Sequence, residues 1–204
     1  SAYDNRPFRM SSPGGGTYHT YYTPSGSFDD LWTGDPNWYA KYFDESANFV
    51  SEWSYCSYGN MSMLKRIVPK EELALAPVGY DYQKFKETHP TVHSAFQQAG
   101  LSNLLHGKAS YYGDLGKADV SEFVEYSQMG HGDVFGTVTE QWRSQFPYKG
   151  GQTVWALTAH GPKLSWDLID WFGQPVVAYY SMKRAIESVH VMANTGFFSW
   201  GPGD

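Results

Sequence analysis

The sequence predicts an α/β fold built from parallel βα units. Two observations carry that prediction. Short runs rich in β-favouring residues alternate with longer segments whose apolar residues recur at helical spacing. Only four such strand-like runs occur in 204 residues, with no internal repeat and no low-complexity stretch. A closed (β/α)8 barrel needs eight strands and typically about 250 residues, so the pattern accounts for part of such an architecture. The length still suffices for one domain with a real core.

Taken in order, residues 6–13 read as a short strand ending in a turn, which Gly14-Gly15-Gly16 prolongs. Residues 18–22, Tyr-His-Thr-Tyr-Tyr, read as a second strand. Residues 28–43 carry Leu31, Trp32, Trp38, Tyr39 and Tyr42 and predict a short helix with irregular structure; Asp29-Asp30 and Asp35-Pro36 suit helix starts. Residues 49–52 are the third strand. Residues 61–68 have apolar side chains at Met61, Leu64, Ile67 and Val68, a helical spacing that Pro69 ends. The stretch 74–112, broken by Pro77, Gly79, Pro90 and Gly100, reads as an insertion with short helices.

Residues 121–142 give the longest helical pattern, with Phe123, Tyr126, Val134, Val138 and Trp142 mostly on one face and Ser121 as the expected N-cap. Gly130 and Gly132 in its middle imply close packing or a kink. Residues 151–157 are the fourth strand, apolar enough to be buried. Residues 165–171 lead into a turn at Gly173. Residues 177–189 predict an amphipathic helix that buries Tyr179, Met182, Ile186 and Val189. The tail 195–204 begins as a further strand and stops at Gly201-Pro202-Gly203.

A net charge of −6 argues against a nucleic-acid or anionic-membrane partner, because no basic patch exists to neutralise phosphates. Lys65-Arg66 and Lys183-Arg184 are the only adjacent basic pairs. No run is long and apolar enough to span a bilayer. The lone cysteine, Cys56, cannot form an internal disulfide and reads as a small buried hydrophobe. The 7 histidines show no metal-ligand spacing, so neither a metal nor a cofactor is expected. Aromatics make up 18% of the chain, with 8 Trp and 16 Tyr. That abundance suits a protein that stacks rings on sugar faces, and it equally suits a large aromatic core.

The chemistry concentrates in 47–60. Phe49-Val50 suits a buried strand, and Glu52 follows directly, flanked by Trp53 and Tyr55. A strand ending in a carboxylate among aromatics suggests the active-site edge of a sugar-binding barrel. A strand-end cap or a salt-bridge partner is the other reading of Glu52.

Five segments, in order, resemble glycoside hydrolase family 2, and within it the β-mannosidase-like branch. Residues 4–13, DNRPFRMSSP, are similar to the family's fifth barrel strand, and 18–22 to its sixth, which carries a His followed by aromatics. Residues 49–53, FVSEW, are similar to the FxSE(F/Y) segment of the seventh strand. Residues 151–173 resemble the eighth strand and its loop, with the SWxLIDxxG pattern at 165–173. Residues 178–191 are similar to the last barrel helix. Two departures stand out. Leu157-Thr158-Ala159-His160-Gly161-Pro162 replaces the Asn-Asp-aromatic-Pro of many relatives, and no Asn-Glu pair, the family's acid/base signature, occurs anywhere in the chain.

The resemblance implies the C-terminal half of a (β/α)8 TIM barrel, strands five to eight with their helices, over 1–192. Residues 193–204 would begin a β-sandwich domain or a linker. It implies Glu52 as catalytic nucleophile. His19, Tyr21 and Tyr22 would supply hydrogen-bond donors around it, Trp155 would line the sugar site, and Trp53 would either line it or pack in the core. Trp166 and Trp171 are expected to pack, Asp167 and Asp170 to cap, and His131 and His160 carry no assigned role. A retaining glycosidase needs two carboxyl groups about 5 Å apart, so a companion polypeptide carrying the first four strands and the acid/base Glu is expected. The implied activity is retaining exo-hydrolysis of terminal β-mannosides. β-Galactosides, β-glucuronides and β-glucosaminides are alternatives within the family. A non-catalytic carbohydrate-binding subunit, or an α/β domain unconnected with sugars, are the readings outside it.

Overall fold

The computed structural model describes residues 17–20, 48–75, 77–94, 106–162 and 166–192. The strand expected at 6–13, the helix expected over 28–43, Tyr21, Tyr22 and the tail after 192 lie outside the described residues.

Among the described residues three parallel strands form a sheet, in the order β1 (Thr17–Thr20), β2 (Phe49–Trp53), β3 (Gly151–Val154). Parallel neighbours require crossovers that cover the sheet. The segment between β2 and β3 supplies α1 (Met61–Ile67), α2 (Lys70–Leu73), α3 (Tyr82–Thr88), α4 (Pro90–Ser94) and the long α5 (Val120–Ser144). A short helical turn at 106–109 precedes α5. After β3 and a long loop, α6 (Val177–Ala185) packs along α5. No helix among the described residues is long and apolar enough to cross a membrane.

The helix starts are specified locally. Asp119, not Ser121, caps α5: its Oδ1 accepts from the Glu122 backbone N–H at 2.9 Å, and Glu122 Oε2 accepts from the Asp119 N–H at 3.0 Å. Reciprocal bonding of this kind satisfies two orphan donors at once, which leaves Ser121 inside the first turn. Asp81 caps α3 through the N–H groups of Gln83 and Lys84. Glu72 is buried in α2 and accepts from the N–H groups of Thr91 and Val92, closing the start of α4 from outside it.

The residues expected to be an insertion contribute to the core. Phe85, Val92 and Ala109 are buried in the cluster that also holds Tyr58, Leu64, Leu115, Phe123 and Trp53. Phe85 meets Tyr58 and Phe123 edge-on, with ring centroids 6.5 and 5.1 Å apart.

Helix α6 is shorter than its apolar pattern predicts: it ends at Ala185, so Ile186 and Val189 lie beyond its last residue and are 58% and 87% exposed. Within it Ala178, Ser181 and Ala185 are buried, Tyr179 and Met182 only partly. Gly132 of α5 lets α6 approach so closely that a Cβ there would stand 2.7 Å from Val177 Cγ1. Only small side chains fit such a contact. Gly132 therefore marks close packing, and α5 runs unbroken through it.

Candidate active site

Among the described strands the register breaks at one place, and it falls at the carboxylate. Tyr18 pairs with Val50, but the next residue, His19, pairs with Glu52. On the other side Val50 pairs with Gln152, and Trp53 pairs with Val154. Both neighbours therefore see one extra residue in β2 between Val50 and Trp53. Strand side chains alternate with a period of two, so an unbroken β2 would put Val50 and Glu52 on one face. The extra residue breaks that parity, as bulges do where a side chain must be re-aimed. Val50 and Trp53 both turn into the core against α5, and Glu52 falls on the opposite face, partly buried.

Of the two places open to Trp53, sugar wall or core, this geometry gives the core, so Trp53 is withdrawn from the substrate-binding residues. It is 1% exposed and stacks on Phe135 of α5, with ring centroids 4.5 Å apart and planes at 29°. The bulge that turns Glu52 outward turns Trp53 inward.

Alternation puts Phe49, Thr153 and Trp155 on the same face as Glu52. Trp155 is 45% exposed, its N–H donates to the Trp53 carbonyl at 2.9 Å, and the Trp155–Ala156 peptide is cis. The backbone of His19 stands directly across from Glu52. Tyr21 lies outside the described residues.

The loop after β3 is built over the C-terminal ends of β2 and β3. Leu168 and Ile169 donate to the carbonyls of Ala156 and Leu157 at 3.1 and 2.9 Å, and Ser54 Oγ donates to the Trp166 carbonyl at 3.4 Å. Trp166 is buried, as expected. Asp170 organises a tight turn: its Oδ1 accepts from the N–H groups of Phe172 and Gln174, both at 2.9 Å, and the Gly173 N–H donates to its carbonyl at 2.9 Å. Gly173 has φ +80°, a conformation suited to glycine. Asn60, just before α1, binds this turn through Nδ2 to Asp170 Oδ2 (3.1 Å) and to the carbonyls of Gln174 and Pro175 (3.3 and 3.2 Å). Sequence reading assigned Asn60 no role. The Asp-x-x-Gly of 170–173 signals the turn, but no local pattern reveals that Asn60, 110 positions away in sequence, holds it.

Behind the site lies a buried polar pair. Ser57 Oγ and His131 Nδ1 are hydrogen-bonded at 2.9 Å, and the His131 ring meets Phe135 edge-on at 4.7 Å. Burial in these aromatic surroundings lowers the His131 imidazole pKa from its ordinary 6.5 to about 3. Cys56 is buried as expected, and burial pushes its thiol well above the usual range. His160 is exposed. A separate cleft of about 630 Å³, lined by Trp142, Phe146, Gly151 and Met182, opens at the N-terminal end of β3, the opposite end of the sheet from Glu52. No cluster of His, Cys, Asp or Glu able to hold a metal occurs among the described residues.

No known family profile and no curated protein sequence matches this chain. Its fold is similar to parts of two solved glycosidases. Against the β-D-mannosidase of Dictyoglomus thermophilum the TM-score is 0.51 at 20% identity, covering 83% of this chain and 18% of that one. Against the exo-chitosanase of Amycolatopsis orientalis the TM-score is 0.53 at 20% identity, covering 87% and 20%. The chain thus spans about a fifth of either structure's length.

Proposed function

We propose that this chain is part of a retaining exo-β-glycosidase of the β-mannosidase-like kind, with Glu52 as its nucleophile. The observation that carries the reading is the bulge in β2. It turns a carboxylate at the C-terminal end of the middle parallel strand away from the helix layer, onto a face shared with an exposed tryptophan. Barrel enzymes gather their chemistry at that end of their strands. The likeness in fold to a β-mannosidase and an exo-chitosanase supports the substrate class.

In this reading the Glu52 carboxylate attacks the anomeric carbon and forms a glycosyl ester, while an acid protonates the departing oxygen. The conjugate base of that acid then takes a proton from water, which attacks the same carbon and frees Glu52. The acid/base Glu comes from outside this chain. It belongs to a companion polypeptide, or a further part of the protein, that completes the barrel to which these strands contribute the C-terminal half. His19, Tyr21 and Trp155 contact the sugar. The exo-chitosanase likeness makes terminal β-glucosaminides the second substrate class.

The test begins with native and denatured masses of the complete protein, which identify any companion chain. It continues with a 2-deoxy-2-fluoro-β-mannoside and its glucosyl counterpart as covalent traps. A sugar adduct on the peptide containing Glu52, absent in Glu52→Gln, is the expected result. An adduct on another carboxylate would remove Glu52 from the role.

A further inference from the structure

The turn at 170–173 presents one residue whose surroundings packing does not explain. Trp171 occupies the second position of the turn and is 49% exposed. Everything around it is fixed. Asp170 closes the turn with three hydrogen bonds through its carboxylate and carbonyl, and Asn60 ties down Asp170, Gln174 and Pro175. Phe172 is pinned beneath the Arg66 guanidinium, 4.2 Å from its ring centroid. The hairpin is stitched to β3's continuation by the Thr158–Ile169 bridge and closed by the Ile169–Pro175 bridge. A large indole held half in water on a rigid turn is a preformed stacking surface, because little ordering entropy remains to be lost when a ring lies on it.

Its place is equally defined. Thr158, partner of Ile169, lies three residues beyond Trp155, and Trp171 lies two residues beyond Ile169. At about 3.3 Å per extended residue and about 5 Å across the bridge, the backbones at Trp155 and Trp171 are at most ~21 Å apart, a span of a few sugar rings, and both residues follow the C-terminal end of β3.

We propose that Trp171 is a stacking platform for a saccharide unit of the substrate beyond the one whose bond is cleaved, and that it sets a preference for oligosaccharides over simple glycosides. This rests on the glycosidase reading above. An apolar ring face offers flat C–H surface to an indole in any hexopyranose, so the platform selects chain length more than sugar identity.

The experiment uses the complete protein and compares Trp171→Ala and Trp171→Phe with the parent. The substrates are an aryl β-mannoside and β-1,4-mannotriose, together with the corresponding glucosaminides. Trp171→Ala is expected to lower the oligosaccharide-to-aryl ratio of kcat/KM about tenfold, mainly through KM, and Trp171→Phe to restore most of it. An unchanged ratio in Trp171→Ala overturns the proposal, as does an equal loss on both substrates. Should the parent cleave none of these glycosides, the glycosidase reading fails on its own. The platform is then judged by calorimetric titration with the same oligosaccharides. Affinity that Trp171→Ala weakens about tenfold sustains it; equal affinities, or none in the parent, end it.

Discussion

Glu52 stands directly across from His19 in the β1–β2 ladder, although the preceding pair, Tyr18 and Val50, requires one residue fewer in β2. The extra residue sits at Ser51. It separates two demands that a regular strand cannot meet with this sequence: Val50 and Trp53 in the core, and Glu52 away from it. Deleting Ser51 restores an unbroken ladder in which Val50 and Trp53 still face α5, so the fold should survive with a cooperative melt. Glu52 loses its offset within the strand, however, and displacements of the order of 1 Å cost enzymes roughly a hundredfold in rate. On the proposed role of Glu52 as nucleophile, a folded deletion variant with at least that loss in kcat is the expected outcome. Melting by circular dichroism and hydrolysis of an aryl β-mannoside check it.

How much of this was legible depends on the range of the cause. The strand at 49–52, the helix over 61–67 and the turn at Gly173 follow from local pattern, and each is where periodicity and turn chemistry put it. Trp53 does not follow, because its side depends on a register shift that only the neighbouring strands define. Ile186 and Val189 mislead because their apolar spacing extends the helical pattern past Ala185, where α6 ends. Within α6 the buried small residues face the close approach at Gly132 of α5, which only the packing of the two helices reveals. Trp171 reads as a packing residue by type, yet the turn around it holds it half in solvent. At the candidate site the place of Glu52 near the end of its strand was legible from sequence, and the face it takes was not.

Gly132 and Gly136 of α5 give opposite predictions. Gly132→Ala brings a methyl to 2.7 Å from Val177 Cγ1 and 3.0 Å from Ser181 Oγ, so α6 must shift. A loss of about 1–3 kcal/mol is expected from such overpacking. At Gly136 the added Cβ meets only Ser181 Cβ at 3.6 Å, an ordinary contact, and alanine's better helix propensity favours a gain of up to about 1 kcal/mol. Chemical denaturation of the two variants should move the midpoint in opposite directions with similar slopes.

His131 ties stability to pH. Its folded pKa, about 3, lies below the ordinary 6.5 because burial disfavours the imidazolium. Between those values the unfolded chain binds a proton that the folded protein refuses. Stability is therefore flat above pH 6.5 and falls as pH drops towards 3, by up to about 1.4 kcal/mol per pH unit for this single group. His89 and His106, also lowered chiefly by burial, act in the same direction. His131→Phe removes the titrating group and should flatten the slope of melting temperature against pH between 6.5 and 4, even where its absolute stability is lower for loss of the Ser57 partner. An unchanged slope would assign the acid sensitivity to other groups.

Asn60 is where stability and site geometry meet. Its Nδ2 serves Asp170 Oδ2 and two carbonyls of the 170–175 turn, and its Oδ1 accepts from Gln128 Nε2 at 3.3 Å. Gln128 in turn accepts from the Val177 N–H at 3.2 Å through Oε1. One amide thus links the segment after β2, the middle of α5, the turn bearing Trp171 and the start of α6. Asn60→Ala leaves several part-buried polar groups without this partner, and each such group costs about 1–3 kcal/mol when water cannot replace the bond. Asn60→Asp keeps the shape but sets a second carboxylate against Asp170, so it should be no better tolerated at neutral pH. The double variant Asn60→Asp with Asp170→Asn exchanges the two groups and restores a donor–acceptor pair. Recovery of melting temperature in the double variant, beyond the sum of the single effects, would show the coupling directly. Additive losses would mean that the turn is held by its own internal bonds alone.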